Sequence, residues 1–389
     1  MEKVTASIIN IGVNDREIDL FESQYHIEKG MAYNSYVILD EKVAVMDTVD
    51  PRATGEWLAN LQEALNGRKV DYLVVQHMEP DHGGSIKALL ELYPGMQLVG
   101  TAQAFQMIRQ FFNLDIEKQT LAVKEGDTLQ LGTHTLQFIQ APMVHWPEVL
   151  VTYEQSEKVV FSADGFGKFG TRDADEDWTC EARRYYFNIC GKYGMQVQNL
   201  LKKLAPLEVQ AICPLHGPVL AENLGYYIDK YAVWSSYEPE DEGILIAYAS
   251  IHGNTAAAAQ KMKEFLEEQG EKKVAITDLC RDDLHEAIED AFRYDCLVLA
   301  SSSYDAGVFP PMETFLAHLA AKTFRNRKVA LIENGTWAPS AAKTMKTFLE
   351  KMKDITLIEP VITIKSAMNE ENLTQMKELA EQLRKRNAQ

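Results

Sequence analysis

The hydrophobic and polar positions change rhythm part-way along the chain. From residue 243 onward, short apolar runs rich in β-branched residues alternate with runs of helical period, which is how a parallel sheet built from strand–helix–strand units reads. "ILIAYAS", "VAITDL", "CLVLASSS", "KVALIEN" and "ITLIEPVITI" are predicted strands, and "AAAAQKMKEFLEEQ", "METFLAHLAAK" and "ENLTQMKELAEQLRKR" are predicted helices. Five strands and five helices in about 145 residues predict a doubly wound parallel sheet. Before residue 240 the pattern is mixed α and β. Hairpin-like pairs such as "NSYVILDEKVAVMDTV" place a turn at Asp40-Glu41, and helical stretches fall at about 54–66 and 85–92. The acidic "SSYEPEDEG" at 235–243, with Pro239 and Gly243, breaks both patterns, so the expected domains are 1–240 and 241–389.

Composition narrows the possible partners. A chain of 389 residues is long for a single core. Its 39 basic and 57 acidic side chains leave a net charge of −18, which repels nucleic acid and anionic membranes. The first residues lack a basic and then apolar leader, and no stretch is apolar for the ~18 residues of a membrane span, so a cytoplasmic protein is expected. The five cysteines are odd in number and never spaced C-x-x-C, which argues against a disulfide framework and against a thiolate metal site.

Candidate chemistry concentrates in "VVQHMEPDHGGS", residues 74–85, where His77, Glu79, Asp81 and His82 follow an apolar run. Tyr72–Gln76 reads as a buried strand, and Pro80 with Gly83-Gly84 predicts a loop after it. An extended start to that loop points His77, Glu79 and Asp81 the same way. Further apolar runs lead to His145, Asp164 and His216. Three imidazoles and three carboxylates without a thiolate suit iron or manganese better than structural zinc, and six ligands fit a dinuclear site with open positions. The competing reading is a zinc metallohydrolase with a hydroxide nucleophile and a passive second domain.

"HMEPDHGGS" with "HWPE", "SADGFG" and "LHGP" resembles the metallo-β-lactamase-like αββα sandwich of flavodiiron proteins, the A-type flavoproteins. Glu79 stands where zinc hydrolases of the wider superfamily carry a second His. The resemblance implies that His77, Glu79 and His145 hold one iron, that Asp81 and His216 hold the other, and that Asp164 bridges them. His82 is left out of the ligand set.

In the second half, "YASIHGNTAAAA" puts Ser250, His252, Gly253, Asn254 and Thr255 between the first strand and first helix, where backbone N–H groups and the helix dipole favour a phosphate. Neither G-x-x-x-x-G-K-[ST] nor G-x-G-x-x-G is present, so a mononucleotide remains. The loop resembles the flavodoxin phosphate loop, which implies a flavodoxin-like domain with FMN. "SSSYDAG" (Ser301, Ser302, Ser303, Tyr304, Asp305, Gly307) and "ENGTW" (Asn334, Gly335, Thr336, Trp337) fall where that fold holds the isoalloxazine, with Tyr304 and Trp337 placed to cover its faces. Family members often read S-P-T-Y-N-G-G in the first of these loops. Here Ser302, Asp305 and Ala306 differ, and a carboxylate near the ring disfavours an anionic reduced form.

The resemblance further implies a reductase of dioxygen, nitric oxide or both, with Tyr193 as a proton or hydrogen-bond donor or, alternatively, as a packed helix residue. No paired C-x-x-C of a rubredoxin is present, so another protein, rubredoxin or a different donor, is expected to supply electrons. Domains of these sizes put two outer-edge sites roughly 40 Å apart within one chain. A head-to-tail homodimer, or a dimer of dimers, brings each flavin to a partner's irons instead.

Overall fold

The computed structural model describes residues 1–386. Asn387, Ala388 and Gln389, the end of the expected second domain, lie outside the described residues. The chain divides into two compact units: residues 1–186 with 193–232, and residues 187–192 with those from 233 onward.

In the first unit two sheets stack face to face. One has seven strands in the order Glu2–Lys3, Ile8–Asn10, Tyr36–Leu39, Val43–Met46, Tyr72–Val74, Gln97–Gly100, Thr120–Ala122. Its first four strands pair antiparallel and the rest parallel. The other has five, in the order Thr128–Gln130, Thr135–Gln140, Leu150–Glu154, Val159–Phe161, Ala211–Cys213. Strand alternation sends Ile8, Ile38, Ala44, Met46, Val74 and Val99 inward, where they meet Leu136, Phe138, Leu150, Val159 and Phe161 of the facing sheet. Val37, Val45 and Leu73, the alternate positions, are also fully buried. Helix Thr54–Leu65 buries Trp57, Leu61 and Leu65, and the outer layers make this half an αββα sandwich.

The second unit is one parallel sheet in the order Val274–Asp278, Asp241–Ala249, Tyr294–Tyr304, Arg325–Asn334, Lys353–Ile364. In chain order this is 2-1-3-4-5, the flavodoxin-like winding. Helices Asn254–Glu268 and Glu370–Arg384 pack Met262, Phe265, Met376 and Leu379 on one face of it. Helices Leu284–Arg293, Pro310–Ala321 and Ala341–Leu349 contact the same strands, so both faces are covered. A short hairpin extends the third strand: Tyr304 pairs with Gly307 across a two-residue turn of Asp305 and Ala306, both with positive φ (47° and 57°).

Arg327 is 2 % exposed, and its guanidinium donates to the carbonyls of Tyr237 (2.7 Å), Asn326 (2.9 Å), Arg325 (3.1 Å) and Phe292. Burial pushes its pKa down to about 10. No helix among the described residues is long and apolar enough to cross a membrane.

Candidate metal centre and flavin cavity

Strand Tyr72–Val74 lies between two parallel neighbours, and the chain leaves its C-terminal end through His77. Pro80 does not open a loop, as the sequence suggested. It stands at the start of a helical turn, Pro80–Gly83, where its missing N–H costs nothing. Gly84 closes that turn against backbone, since a Cβ there would sit 2.4 Å from the Pro80 carbonyl oxygen. The turn has a consequence for the ligands. His77 and Glu79 point together, but Asp81 is already helical and joins a different group.

The structure forms two clusters. In the first, Nε2 of His77 and of His145 lie 3.3 and 3.1 Å from Glu79 Oε2, and 3.3 and 3.0 Å from Asp164 Oδ2. In the second, Nε2 of His82 and of His216 each lie 3.3 Å from Asp81 Oδ2 and 3.1 Å from one another. Asp164 Oδ1 reaches His82 at 3.2 Å and His216 at 3.7 Å. His82, set aside in the sequence reading, is therefore seated within the second group.

The electrostatics are those of a site built around cations. Both oxygens of Asp81 and of Asp164 and Nε2 of His145 are buried without hydrogen-bond partners. Leaving such atoms unsatisfied costs roughly 1–3 kcal/mol each, more when charged. Burial opposes charge on His77, yet Asp164, Glu148 and Glu79 hold its pKa well above the ordinary imidazole value. Burial likewise opposes charge on Asp164, which the surrounding imidazoles hold well below the usual carboxylate range. Burial first, then repulsion from Glu79 and Asp164, raises Asp81. Without metal, protons offset part of the repulsion; a pair of cations among the same atoms would do so directly.

Hydrogen bonds fix two of the imidazoles. His216 Nδ1 donates to the Ala32 carbonyl at 2.8 Å, and His77 Nδ1 donates to Glu148 Oε1 at 2.9 Å, which aims both Nε2 lone pairs inward. The rings of Phe21, Tyr185 and Tyr33 pack about His216 at 5.4, 5.4 and 6.1 Å, and Trp146 meets His77 edge-on at 5.3 Å. Tyr193 ends the turn Gly191–Tyr193 and is half-buried.

In the second unit a cavity of about 640 Å³ opens at the C-terminal ends of the first, third and fourth strands in chain order. Ser250, His252, Asn254, Thr255, Ser302, Ser303, Tyr304, Asp305, Asn334, Gly335, Thr336 and Trp337 line it. Gly253, Ser301 and Gly307, also expected there, do not: Gly253 caps helix Asn254–Glu268 with φ 91°, Ser301 is fully buried within its strand, and Gly307 pairs back onto Tyr304. Pro339, Ser340 and Ser366 take part instead. Thr255 Oγ1 and Ser302 Oγ meet at 2.9 Å. Among the lining residues Asp305 is the one carboxylate, and no lysine or arginine is present. Trp337 is 89 % exposed at the rim and Tyr304 46 %.

A family model described as ODP family beta lactamase matches residues 31–217, and one described as Flavodoxin domain matches 245–382. A putative diflavin flavoprotein A 2 of Synechocystis is 32% identical over 331 residues, 82% of this chain; the chain spans 56% of that relative, little more than half its length. The anaerobic nitric oxide reductase flavorubredoxin of Vibrio vulnificus is 29% identical over 84% of this chain and 68% of its own. In fold, the chain matches the flavodiiron protein from Giardia intestinalis with a TM-score of 0.92 at 24% identity, over 99% of this chain and 96% of the other. The chain therefore carries a beta-lactamase-type domain followed by a flavodoxin domain. The rubredoxin oxygen:oxidoreductase of Desulfovibrio gigas shares the fold equally well, with a TM-score of 0.91 at 24% identity over 98% of this chain and 97% of the other.

Three residues around the candidate metal centre escaped the sequence reading. Glu22 lies against Glu79, and burial with that repulsion pushes it up to about 7. Asp47 accepts from the backbone N–H groups of Gln76 (2.7 Å) and His77 (3.2 Å) and so steadies the ligand strand's end. Glu148 supports His77. Of these only Glu148 had a sequence signal, as the last letter of "HWPE".

Proposed function

We propose that this chain is a flavodiiron protein, passing electrons from a protein donor through FMN to a non-haem diiron centre that reduces dioxygen to water, nitric oxide to nitrous oxide, or both. The observation that carries the reading is Asp164, buried, with one unpartnered oxygen toward each of two imidazole groups. A zinc hydrolase does not require Glu79 in place of an imidazole, and a mixed imidazole and carboxylate set suits iron or manganese better than structural zinc.

In this reading His77, Glu79 and His145 hold one iron, Asp81 and His216 the other, and Asp164 is shared. When bound, the irons would polarise a diatomic substrate while the flavin takes up electrons in pairs and releases them singly. The protein's own part is positional. Ser250, Thr255, Ser302 and the N–H groups opening helix Asn254–Glu268 suit the FMN phosphate. Tyr304 and Trp337 suit the two ring faces. Tyr193 serves as a hydrogen-bond donor to substrate. Dioxygen consumes four electrons and four protons to give two waters; two nitric oxide molecules consume two of each to give nitrous oxide and one water. Rubredoxin or a comparable carrier is the donor, the location is the cytoplasm, and head-to-tail homodimers set each flavin against a partner's irons.

Iron-replete protein, chemically reduced under anaerobic conditions, is given each gas in turn. Consumption of at least one gas, with two irons and one FMN bound per chain, is expected. Zinc in the centre with no gas consumed would point to the hydrolase.

A further inference from the structure

Glu148 is 1 % exposed and sits behind the first ligand group, on the side of His77 away from the centre. Its two oxygens are used unequally. Oε1 accepts from His77 Nδ1 at 2.9 Å and from the Met78 backbone N–H at 2.8 Å, whereas Oε2 is buried without a hydrogen-bond partner. The residue also borders a cavity of about 630 Å³ that Thr101, Lys124, Gln140 and Pro147 help to line.

The other fixed imidazole is supported differently. His216 Nδ1 donates to a neutral backbone carbonyl, that of Ala32, at 2.8 Å. His82 Nδ1 is buried with no hydrogen-bond partner. A carboxylate behind an imidazole draws its Nδ1 proton and makes Nε2 a more basic ligand than a carbonyl does, and such outer partners typically change metal affinity 10–100-fold.

We propose that Glu148 is a positioning residue whose negative charge makes the two metal positions unequal, binding the iron at His77 more tightly and favouring its ferric state over that of the iron at His216. This rests on the diiron reading above. It goes beyond that reading by assigning the asymmetry to one buried carboxylate that is not itself a ligand. A carboxylate at this place offers a charge as well as an acceptor. A residue needed only to hold His77 in place would require a single acceptor, and a glutamine supplies one.

That contrast is the test. In Glu148→Gln the amide oxygen can take both hydrogen bonds that Oε1 now accepts, so geometry is kept and charge removed. Holoprotein with FMN and iron is titrated with a competing chelator, and the irons' potentials are followed by EPR. The expected result is a 10–100-fold weaker hold on one iron of the two, with that iron reduced more readily, while the second iron and the flavin content stay as in wild type. Two irons with unchanged affinities and potentials in a folded Glu148→Gln protein would overturn the proposal. If the Glu148→Gln protein does not fold, pulsed EPR of the wild-type mixed-valence centre decides instead. One histidine remote-nitrogen coupling of imidazolate character, distinct from the others, is expected; equivalent couplings for all bound histidines would overturn it. A wild-type protein that takes up no iron would instead remove the diiron reading on which the proposal stands.

Discussion

Both oxygens of Asp164 are buried and unpartnered, and each faces its own pair of imidazoles. Asp164→Asn keeps the shape but halves the acceptor capacity and removes the charge. Metal analysis should show both irons held more than about 100-fold more weakly, a loss at or beyond the upper range for outer-sphere partners, with flavin absorbance unchanged. At the rim of the flavin cavity, Ala306 has φ 57° in a turn that prefers glycine. Ala306→Gly should raise stability by up to about 1 kcal/mol, read from the midpoint of thermal unfolding. The residue scale is also where sequence reasoning reached its limit. Spacing by two gathered His77 and Glu79 correctly because the chain is still extended there. It misplaced Asp81 because Pro80, taken as a loop-former, instead begins a helix and turns the next side chains toward His216. Glu22 and Asp47 were invisible because nothing local marks them; contacts made 57 and 29 residues away along the chain do, counting from Glu22 to Glu79 and from Asp47 to Gln76.

Elements of the second unit were easier to read than those of the first, for a physical reason. Strands buried on both faces must be apolar throughout, so Tyr294–Tyr304 and Arg325–Asn334 stand out as runs, and helices of ordinary length separate them. In the first unit many strands have only two to four residues, such as Glu2–Lys3 and Leu20–Phe21, too short to show alternation. Arg327, inside one of the long strands, marks an exception to the apolar rule that its four carbonyl acceptors explain. Arg327→Met leaves those carbonyls without their donor and should cost about 3 kcal/mol or more in urea unfolding. On the hairpin of the first unit, Asp40 accepts from His134 Nδ1 at 2.8 Å and from its backbone N–H at 2.6 Å. Burial works to raise the Asp40 carboxyl, but these bonds hold it well below the usual carboxylate range. Its folded pKa is lower than its unfolded one, so the stabilisation is full above the unfolded value of about 3.9 and fades as pH falls through the folded value. Asp40→Asn should therefore be less stable than wild type at pH 6, with the gap closing in acid, as urea midpoints across that range will show.

For the whole molecule, the head-to-tail proposal makes a prediction that no single-chain arrangement shares. An iron-dead chain, Asp81→Asn, and a flavin-dead chain, Thr255→Glu, are each inactive alone. Mixed dimers of the two should recover activity, because one intact flavin then meets one intact iron pair across the interface. If isolated mixed dimers stay inactive, while a doubly mutated chain beside a wild-type one works at half rate, electrons pass within a chain.

The flavin cavity has no lysine or arginine in its lining, and the chain around it carries a charge of −18. Sites that grip phosphate through cations release it as ionic strength rises, because counterions compete. In the proposed reading hydroxyls and backbone N–H groups hold the phosphate against a repulsive background, and added salt weakens that long-range repulsion more than the short hydrogen bonds. FMN should dissociate no more readily at about 0.5 M than at about 0.05 M sodium chloride, and its measured Kd should stay level or fall. In practice, the yellow colour should stay with the protein through a high-salt column wash.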